Sequence, residues 1–191
     1  MKILVACEYS GVVRDAFIAR GHEAISCDIL PTEKEGPHYL GNVLDILHDG
    51  WDVMIAHPPC THLAVSGAKW FKYKQKEQEE ALGFVQVLLD APIEKICLEN
   101  PVSVISSKIR KPDQIIQPWQ FGHTATKTTC LWLKNLPKLV PTDIVGKGNF
   151  VITKGGRKLP EWYNLPPSED RSKIRSRTFE GIAEAMAEQW G

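Results

Sequence analysis

Three short motifs carry side chains that could do covalent or acid–base chemistry, and each follows an apolar run. Cys60 ends the motif HPPC, Glu99 and Asn100 follow KICL, and Glu8 follows KILVAC. A cysteine thiolate can add to an electrophilic carbon, and a carboxyl group can hold or donate a proton. A cysteine and two carboxylates behind successive apolar runs indicate a single reactive site.

Cys60 is the sharpest candidate for a nucleophile. Two prolines fix the backbone before it, and a helix starting within residues 61–67 would lower the pKa of its thiol through the helix dipole. The alternative is a free cysteine that only packs in the interior. The other four cysteines, Cys7, Cys27, Cys97 and Cys130, lie inside strand patterns, and we assign them to the core.

Glu99 stands between an apolar run and Pro101. Partial burial would raise the pKa of its carboxyl group and would suit that group to hold or donate a proton. The alternative is a helix cap or a salt-bridge partner.

The first motif and a later acidic residue predict a nucleotide-like ligand. The turn EYSG, residues 8–11, lets the backbone approach a ligand, and Asp28 follows Glu8 by 20 residues. An acid at that offset binds ribose hydroxyls in doubly wound folds. A turn with Gly11 alone does not make a pyrophosphate cradle, so S-adenosylmethionine, which has no phosphate, is favoured. His57, Cys60 and His62 lack a second ligand pair, and we expect no metal.

Alternating strands and helices must position these groups. Apolar runs predict strands over residues 2–8, 22–28, 51–57, 95–100 and 128–136, and helical periodicity predicts helices over 12–20, 74–90 and 178–190. Such alternation is typical of βαβ units, whose ligands bind at the carboxyl ends of the strands. We predict one α/β domain, 1–191, with a doubly wound, mostly parallel sheet and a terminal helix, 178–191, that returns to the core.

The charge is unevenly placed although the net charge is 23 − 23 = 0. Residues 1–100 carry 9 − 15 = −6, residues 101–160 carry 10 − 2 = +8, and residues 161–191 carry 4 − 6 = −2. A basic middle segment indicates an anionic partner, although solvated loops are also rich in lysine. We expect residues 121–166 to form a small, loop-rich, basic segment that recognises the substrate.

The cysteines and the first apolar run bear on the compartment. Five widely spaced cysteines without a Cys-x-x-Cys pair indicate a reducing environment. The run from Ile3 to Cys7 is too short for a signal peptide or a membrane span. We therefore expect a cytoplasmic protein with no membrane partner.

Taken in order, these motifs resemble those of the DNA (cytosine-5) methyltransferase family. ACEYSGVVRDAFIARGHEAISCD is similar to the family's first cofactor motif, HPPCTHLAVSG to its catalytic Pro-Cys motif and LENP to its Glu-Asn-Val motif. The resemblance covers residues 1–107 and, more weakly, the C-terminal residues. It implies the Rossmann-like fold of S-adenosylmethionine-dependent methyltransferases.

The resemblance also implies roles for single residues. Cys60 would attack carbon 6 of cytosine, Glu99 would hold ring nitrogen 3, and Asn100 would support the loop beside Cys60. Carbon 5 would then take a methyl group from S-adenosylmethionine. Implied cofactor contacts are Glu8, Tyr9, Ser10, Gly11, Asp28, Ile29, Asn42, Val43 and Pro58. Implied substrate contacts are Pro59, Ser66, Lys127 and Lys134.

The chain departs from the family pattern in three places. Only Lys127 is basic where the Gln-x-Arg-x-Arg motif would fall, the last motif lacks Gly-Asn, and 121–166 is shorter than a target-recognition domain. The resemblance therefore implies a minimal enzyme of restriction–modification or phage DNA modification, with little sequence discrimination or with a protein partner that finds the target. Two alternatives stay open: a methyltransferase for RNA or a free pyrimidine nucleotide, and a non-catalytic protein that binds S-adenosylmethionine or DNA.

Overall fold

The strands follow the apolar runs of the sequence. In the computed structural model, which describes residues 1–153, 155–166, 168 and 171–191, the strands are β1 Lys2–Ala6, β2 Glu23–Asp28, β3 His38–Leu40, β4 Val53–Ala56, β5 Lys95–Asn100, β6 Gln114–Ile116, β7 Thr129–Lys134, β8 Phe150–Ile152 and β9 Lys158–Pro160. Lys154, a basic residue of the predicted recognition segment, lies outside the described residues.

Helices connect these strands and cover both faces of the sheet. The α-helices are α1 Val12–Ala19, α2 Gln75–Leu89, α3 Ile105–Lys108, α4 Arg171–Ser176 and α5 Glu180–Trp190. Short 3-10 helices span Val43–Asp45, Val65–Tyr73, Pro118–Gln120 and Glu161–Asn164. Among the described helices, none is long and apolar enough to cross a membrane.

The main sheet has the order β3-β2-β1-β4-β5-β7-β6, and β8 and β9 form a separate hairpin. Strands β1 to β5 pair in parallel, whereas β7 runs antiparallel to both β5 and β6. The prediction of a doubly wound, mostly parallel sheet is confirmed. In the register Ala6 pairs with Ala56, and Ala56 pairs with Leu98, so β1, β4 and β5 end at the same edge.

Apolar side chains on the two faces of the sheet build two halves of the core. Alternate residues of a strand point to opposite faces. Ile3 and Val5 therefore pack with α1 and α5, while Leu4 and Ala6 pack with α2 and α3. Trp190 closes the first half and donates its indole N–H to Pro137 O at 2.9 Å. The terminal helix is thus anchored on α1 and holds the end of the chain against the sheet.

The segment 121–166 contains the strand predicted over residues 128–136 in addition to loops. Residues 129–134 form β7, which lies inside the main sheet between β5 and β6. Leu131 and Trp132 are fully buried there. Residues 121–128 and the described part after Lys134 lie outside the main sheet, and the latter contains the β8–β9 hairpin and the 3-10 helix Glu161–Asn164.

Candidate active site

A pocket of about 360 Å³ lies where β4 and β5 end. It brings together Cys60, Glu99 and Asn100, the three residues proposed from sequence for catalysis. Four further sequence candidates line it: Pro58, Pro59, Ser66 and Lys127.

The loop that carries Cys60 leaves the sheet because its prolines cannot donate to a neighbouring strand. His57 N–H makes the final bond of this stretch to β1, donating to Ala6 O at 2.9 Å. Asn100 is almost fully buried, and its Nδ2 donates to Pro58 O at 2.9 Å. Cys60 O then accepts the N–H groups of Leu63 and Ala64, which turns the chain. Asn100 thus supports the loop beside Cys60, the place implied for it by the resemblance.

The expectation of a lowered thiol pKa at Cys60 is wrong. No α-helix starts within the fully described residues 61–67; a 3-10 helix begins at Val65 instead, so no α-helix dipole acts on the sulfur. The side chain is exposed, but the surrounding pocket wall desolvates a thiolate and raises the pKa of Cys60, and the negative charge of Glu99 raises it further. Lys127 and Arg175 oppose this effect in part.

The pKa of Glu99 also differs from the one expected. Its carboxyl Oε2 lies 3.0 Å from His57 Nδ1. Burial raises the pKa of Glu99, but the hydrogen bond from His57 and the positive charge of Lys127 outweigh burial and leave that pKa below its ordinary value. The prediction of a raised pKa is therefore wrong, and the free protein holds Glu99 as a carboxylate at neutral pH.

His57 connects two cavities at this edge. It lines the Cys60 pocket and also a cavity of about 50 Å³ beside Tyr9 and Ser10. Among the residues that the structure describes, its Nε2 is buried and has no hydrogen-bond partner. The sequence places His57 at a strand end beside Cys60 and offers it as a metal ligand, but it assigns His57 no catalytic role. Across the described residues, no group of three or more His, Cys, Asp or Glu side chains could hold a metal ion.

The opposite wall of the pocket comes from the C-terminal part of the chain. Lys127 Nζ lies 5.8 Å from the ring centres of Trp162 and Phe179 and donates to Arg177 O at 3.4 Å. Burial lowers the pKa of Lys127, and attraction to Glu99 and Cys60 opposes that shift. Four residues of this wall were not predicted from sequence: Trp162, Tyr163, Arg175 and Ser176. For Trp162 and Tyr163 the available signal was the aromatic pair in PEWYN, within a segment interpreted as a loop.

Lys134 does not join this pocket, and its assignment as a substrate contact is corrected. Because β7 runs antiparallel to β5, Cys130 pairs with Asn100 and Lys134 pairs with Ile96, at the far end of both strands. Lys134 Nζ donates to Ala91 O at 3.0 Å. The apolar pattern of β7 predicts a strand but not its direction.

Glu8 and Gly11 shape the turn after β1. Glu8 is 5% exposed, and its carboxylate accepts the N–H groups of Val13 at 2.8 Å and Arg14 at 3.3 Å. Ser10 Oγ donates to the same carboxylate at 3.0 Å. Gly11 has a left-handed φ of 73°, and an added Cβ would lie 2.5 Å from the Arg14 guanidinium. Glu8 and Gly11 therefore shape the start of α1, and Glu8 also lines the cavity of about 50 Å³ beside Tyr9 and Ser10.

The remaining cofactor candidates lie at the ends of β2 and β3. Asp28 Oδ1 accepts the N–H of Leu30 at 2.9 Å, and the neighbouring Ile29 is 78% exposed. Asn42 Oδ1 accepts the N–H of Leu44 at 3.0 Å, while the side chain of Val43 is buried. A carboxylate beside an exposed apolar side chain at a strand end suits the sugar and base of a nucleoside. Val43 can contribute only its backbone.

Comparisons with known proteins support the architecture. No family model and no curated protein matches the chain. One solved structure that matches is from E. coli and is described as a candidate DNA modification methyltransferase encoded within a prophage, with 13% identity and a TM-score of 0.53. The match covers 78% of this chain and 53% of that chain, so this chain spans about half of its neighbour's length. The likeness shows the fold, and the predicted Rossmann-like fold of methyltransferase type is confirmed.

Proposed function

We propose that the protein transfers a methyl group from S-adenosylmethionine to carbon 5 of cytosine in DNA, through a covalent adduct on Cys60. The observation that carries the proposal is the juxtaposition of Cys60, Glu99 and Asn100 in one pocket, at the ends of adjacent strands of a methyltransferase-type fold. In the free protein the thiol is kept largely protonated by its raised pKa. The thiol would lose its proton to a base when the substrate binds, and the positive charges of Lys127 and Arg175, which lower the thiol pKa, would stabilise the thiolate.

Covalent addition is needed because carbon 5 of cytosine is a poor nucleophile by itself. As the Sγ–carbon 6 bond forms, the sulfur electron pair enters the ring and charge collects at carbon 5 and nitrogen 3. A proton held on the pair of His57 and Glu99, whose Nδ1 and Oε2 lie 3.0 Å apart, would pass through Glu99 to nitrogen 3, neutralise that charge, and return to the pair when Cys60 leaves. S-adenosylmethionine supplies the electrophilic methyl group when it is bound. A base then takes the carbon 5 proton, the carbon 6–sulfur bond breaks, and Cys60 leaves as a thiolate.

The residues that would hold the cofactor fit one path along the sheet edge. Asp28 would bind the ribose, Ile29 would cover the adenine, and the backbone at Asn42 and Val43 would face its amino edge. Tyr9, Ser10 and Pro58 would lie toward the reactive end. The 50 Å³ cavity beside Tyr9 and Ser10 shares His57 with the Cys60 pocket, which supports this direction.

The target cytosine would have to leave the base stack of the DNA before it could enter the pocket. Pro59 and Ser66 line its mouth, and Lys127 places a positive charge beside Glu99 and Cys60. Trp162 and Tyr163 supply an aromatic wall on the other side. These contacts suit a flat pyrimidine whose ring becomes negatively charged.

Nucleoside mass spectrometry tests the proposal. DNA from cells that express the protein, in a host without cytosine methylation, is expected to contain 5-methylcytosine, and DNA from cells with Cys60→Ser is expected to contain none. Unmodified DNA together with methylated RNA or methylated nucleotides would assign a different pyrimidine substrate. Binding of S-adenosylmethionine with no methylated product in any pool would contradict an enzymatic role.

A further inference from the structure

A ridge of alternating lysine and aromatic side chains follows the Cys60 loop. The ridge is residues 69–74, KWFKYK, and most of it belongs to the 3-10 helix Val65–Tyr73, in which no residue is buried. Trp70 is 54% exposed and Tyr73 is 69% exposed. Large aromatic side chains contribute most of their stabilising energy when they are covered. Their exposure here calls for a partner outside the chain.

The charge of the ridge restricts what that partner can be. Residues 65–76 contain four lysines and no acidic residue, although residues 1–100 carry a net charge of 9 − 15 = −6. Lys69 Nζ lies 5.0 Å from the centre of the Trp70 ring, and Lys72 Nζ lies 4.6 Å from the centre of the Tyr73 ring. An exposed ring with a cation over one face matches a polymer of phosphates and planar bases.

The position of the ridge connects it with the candidate active site. Trp70, Phe71 and Lys74 line a cavity of about 380 Å³ together with Thr61 and Gly67. Thr61 and Gly67 also line the Cys60 pocket. A strand whose base occupies the Cys60 pocket therefore meets the ridge with its next nucleotides.

We propose that the 69–74 ridge binds unpaired nucleotides next to the target base, with bases stacked on Trp70 and Tyr73 and phosphates at Lys69, Lys72 and Lys74. The inference rests on the proposed function, because that function places the target cytosine at Cys60. Stacking on an exposed ring requires a base whose face is open, and the faces of bases inside a duplex are covered by their neighbours. The ridge therefore favours single-stranded or locally opened DNA.

Equilibrium binding tests the ridge independently of chemistry. The probe is a fluorescein-labelled single-stranded oligodeoxynucleotide, measured by anisotropy with Cys60→Ser protein and no cofactor. We expect Trp70→Ala and Tyr73→Ala each to weaken binding about tenfold, the effect of losing one stacked base. We expect Lys69→Ala and Lys72→Ala each to reduce the slope of log affinity against log salt by about 0.7.

Matched controls come from the opposite edge of the sheet, where β1 starts. Lys2 is exposed and Ile18, near the end of α1, is 39% exposed, so Lys2→Ala and Ile18→Ala remove a surface cation and a surface apolar group away from the pocket. These variants are expected to bind DNA as the parent does. Thermal unfolding of all variants shows whether each retains its fold.

Several outcomes would overturn the ridge proposal. The first is an unchanged DNA affinity in Trp70→Ala and Tyr73→Ala, and the second is no DNA binding by the parent Cys60→Ser protein. The third is that Trp70→Ala and Tyr73→Ala lose binding to anionic phospholipid vesicles while their DNA binding is unchanged. The Cys60→Ser background separates this test from the proposed function. Weakened DNA binding in the ridge variants, together with no 5-methylcytosine in cells, would uphold the ridge and reject the methyltransferase proposal.

Discussion

The Glu99 carboxylate and His57 form the central polar contact of the pocket, at 3.0 Å. This contact explains why a largely buried carboxyl group has a lowered pKa, since burial alone would raise it. The sequence predicts burial from the apolar strand before Glu99. It does not predict the partner, because His57 lies 42 positions earlier and meets Glu99 only through strand pairing.

Replacing His57 with alanine is expected to raise the pKa of Glu99. The substitution removes the hydrogen bond that lowers this pKa and leaves burial as the main effect, so Glu99 binds its proton at a higher pH than in the parent. An NMR titration of the labelled carboxyl carbon measures the change, and Glu99→Gln assigns the signal. His62→Ala, on the same loop, is the control and is expected to leave the pKa of Glu99 unchanged. An unchanged titration in His57→Ala would contradict the assignment.

Replacing Lys127 with alanine is expected to raise the pKa of the Cys60 thiol further. Lys127 lowers that pKa through its charge, so its loss reduces the thiolate fraction at any given pH. The rate of iodoacetamide alkylation against pH reports the change. Of the five cysteines, all within the described residues, Cys60 is the exposed one. Lys134→Ala is the control, because Lys134 lies in β7 at the opposite edge of the sheet, and it should leave the midpoint of the alkylation profile unchanged. Equal shifts of the midpoint in both variants would refute a local effect of the Lys127 charge on Cys60.

At the level of elements, the turn between β1 and α1 depends on one buried carboxylate. Glu8 accepts the first free N–H groups of α1, and helix starts need such acceptors. Gly11, the N-cap residue of α1, has no side chain that could accept these N–H groups, so the carboxylate of Glu8, three residues earlier, accepts them instead. The same carboxylate fixes Ser10, and so it holds the turn that faces the proposed cofactor.

Removal of the Glu8 side chain is expected to destabilise the fold. Glu8→Ala leaves buried donors without an acceptor, and we expect the free energy of unfolding to fall by about 2 kcal/mol. Glu23→Ala, at the exposed start of β2, is the control and should change stability by less than about 0.5 kcal/mol. Urea unfolding followed by circular dichroism measures both. Equal effects for the two variants would show that Glu8 is not a cap.

The elements also show what sequence patterns can and cannot predict. Strands β1, β2, β4 and β5 were predictable because continuous apolar runs are bounded by turn residues. Strands β3 and β6 have three residues each, too few to display a period. The strand β7 was predicted, but its antiparallel direction depends on packing between β5 and β6. That direction decides that Lys134 lies away from Cys60.

For the whole molecule, the sheet edge collects residues from every part of the chain. Cys60, Glu99 and Asn100 could be placed together from sequence because parallel strands end at one edge. Trp162, Tyr163 and Arg175 could not, because no strand carries them and only the tertiary folding of residues 161–166 and 171–176 brings them to the pocket. The basic residues of the segment 121–166 are also divided between the pocket and other parts of the surface. Lys127 lines the pocket and Lys134 does not, while the acidic first half contributes the lysines of the 69–74 ridge.

The most direct test of the account is covalent trapping on DNA that contains 5-fluorocytosine, in the presence of S-adenosylmethionine. Fluorine replaces the proton that must leave carbon 5, so the sulfur–carbon 6 bond persists after methyl transfer. We predict a denaturation-resistant protein–DNA complex whose modified peptide contains Cys60. Cys60→Ser should give no complex. Absence of the complex with folded parent protein that binds both DNA and S-adenosylmethionine would contradict the proposed mechanism.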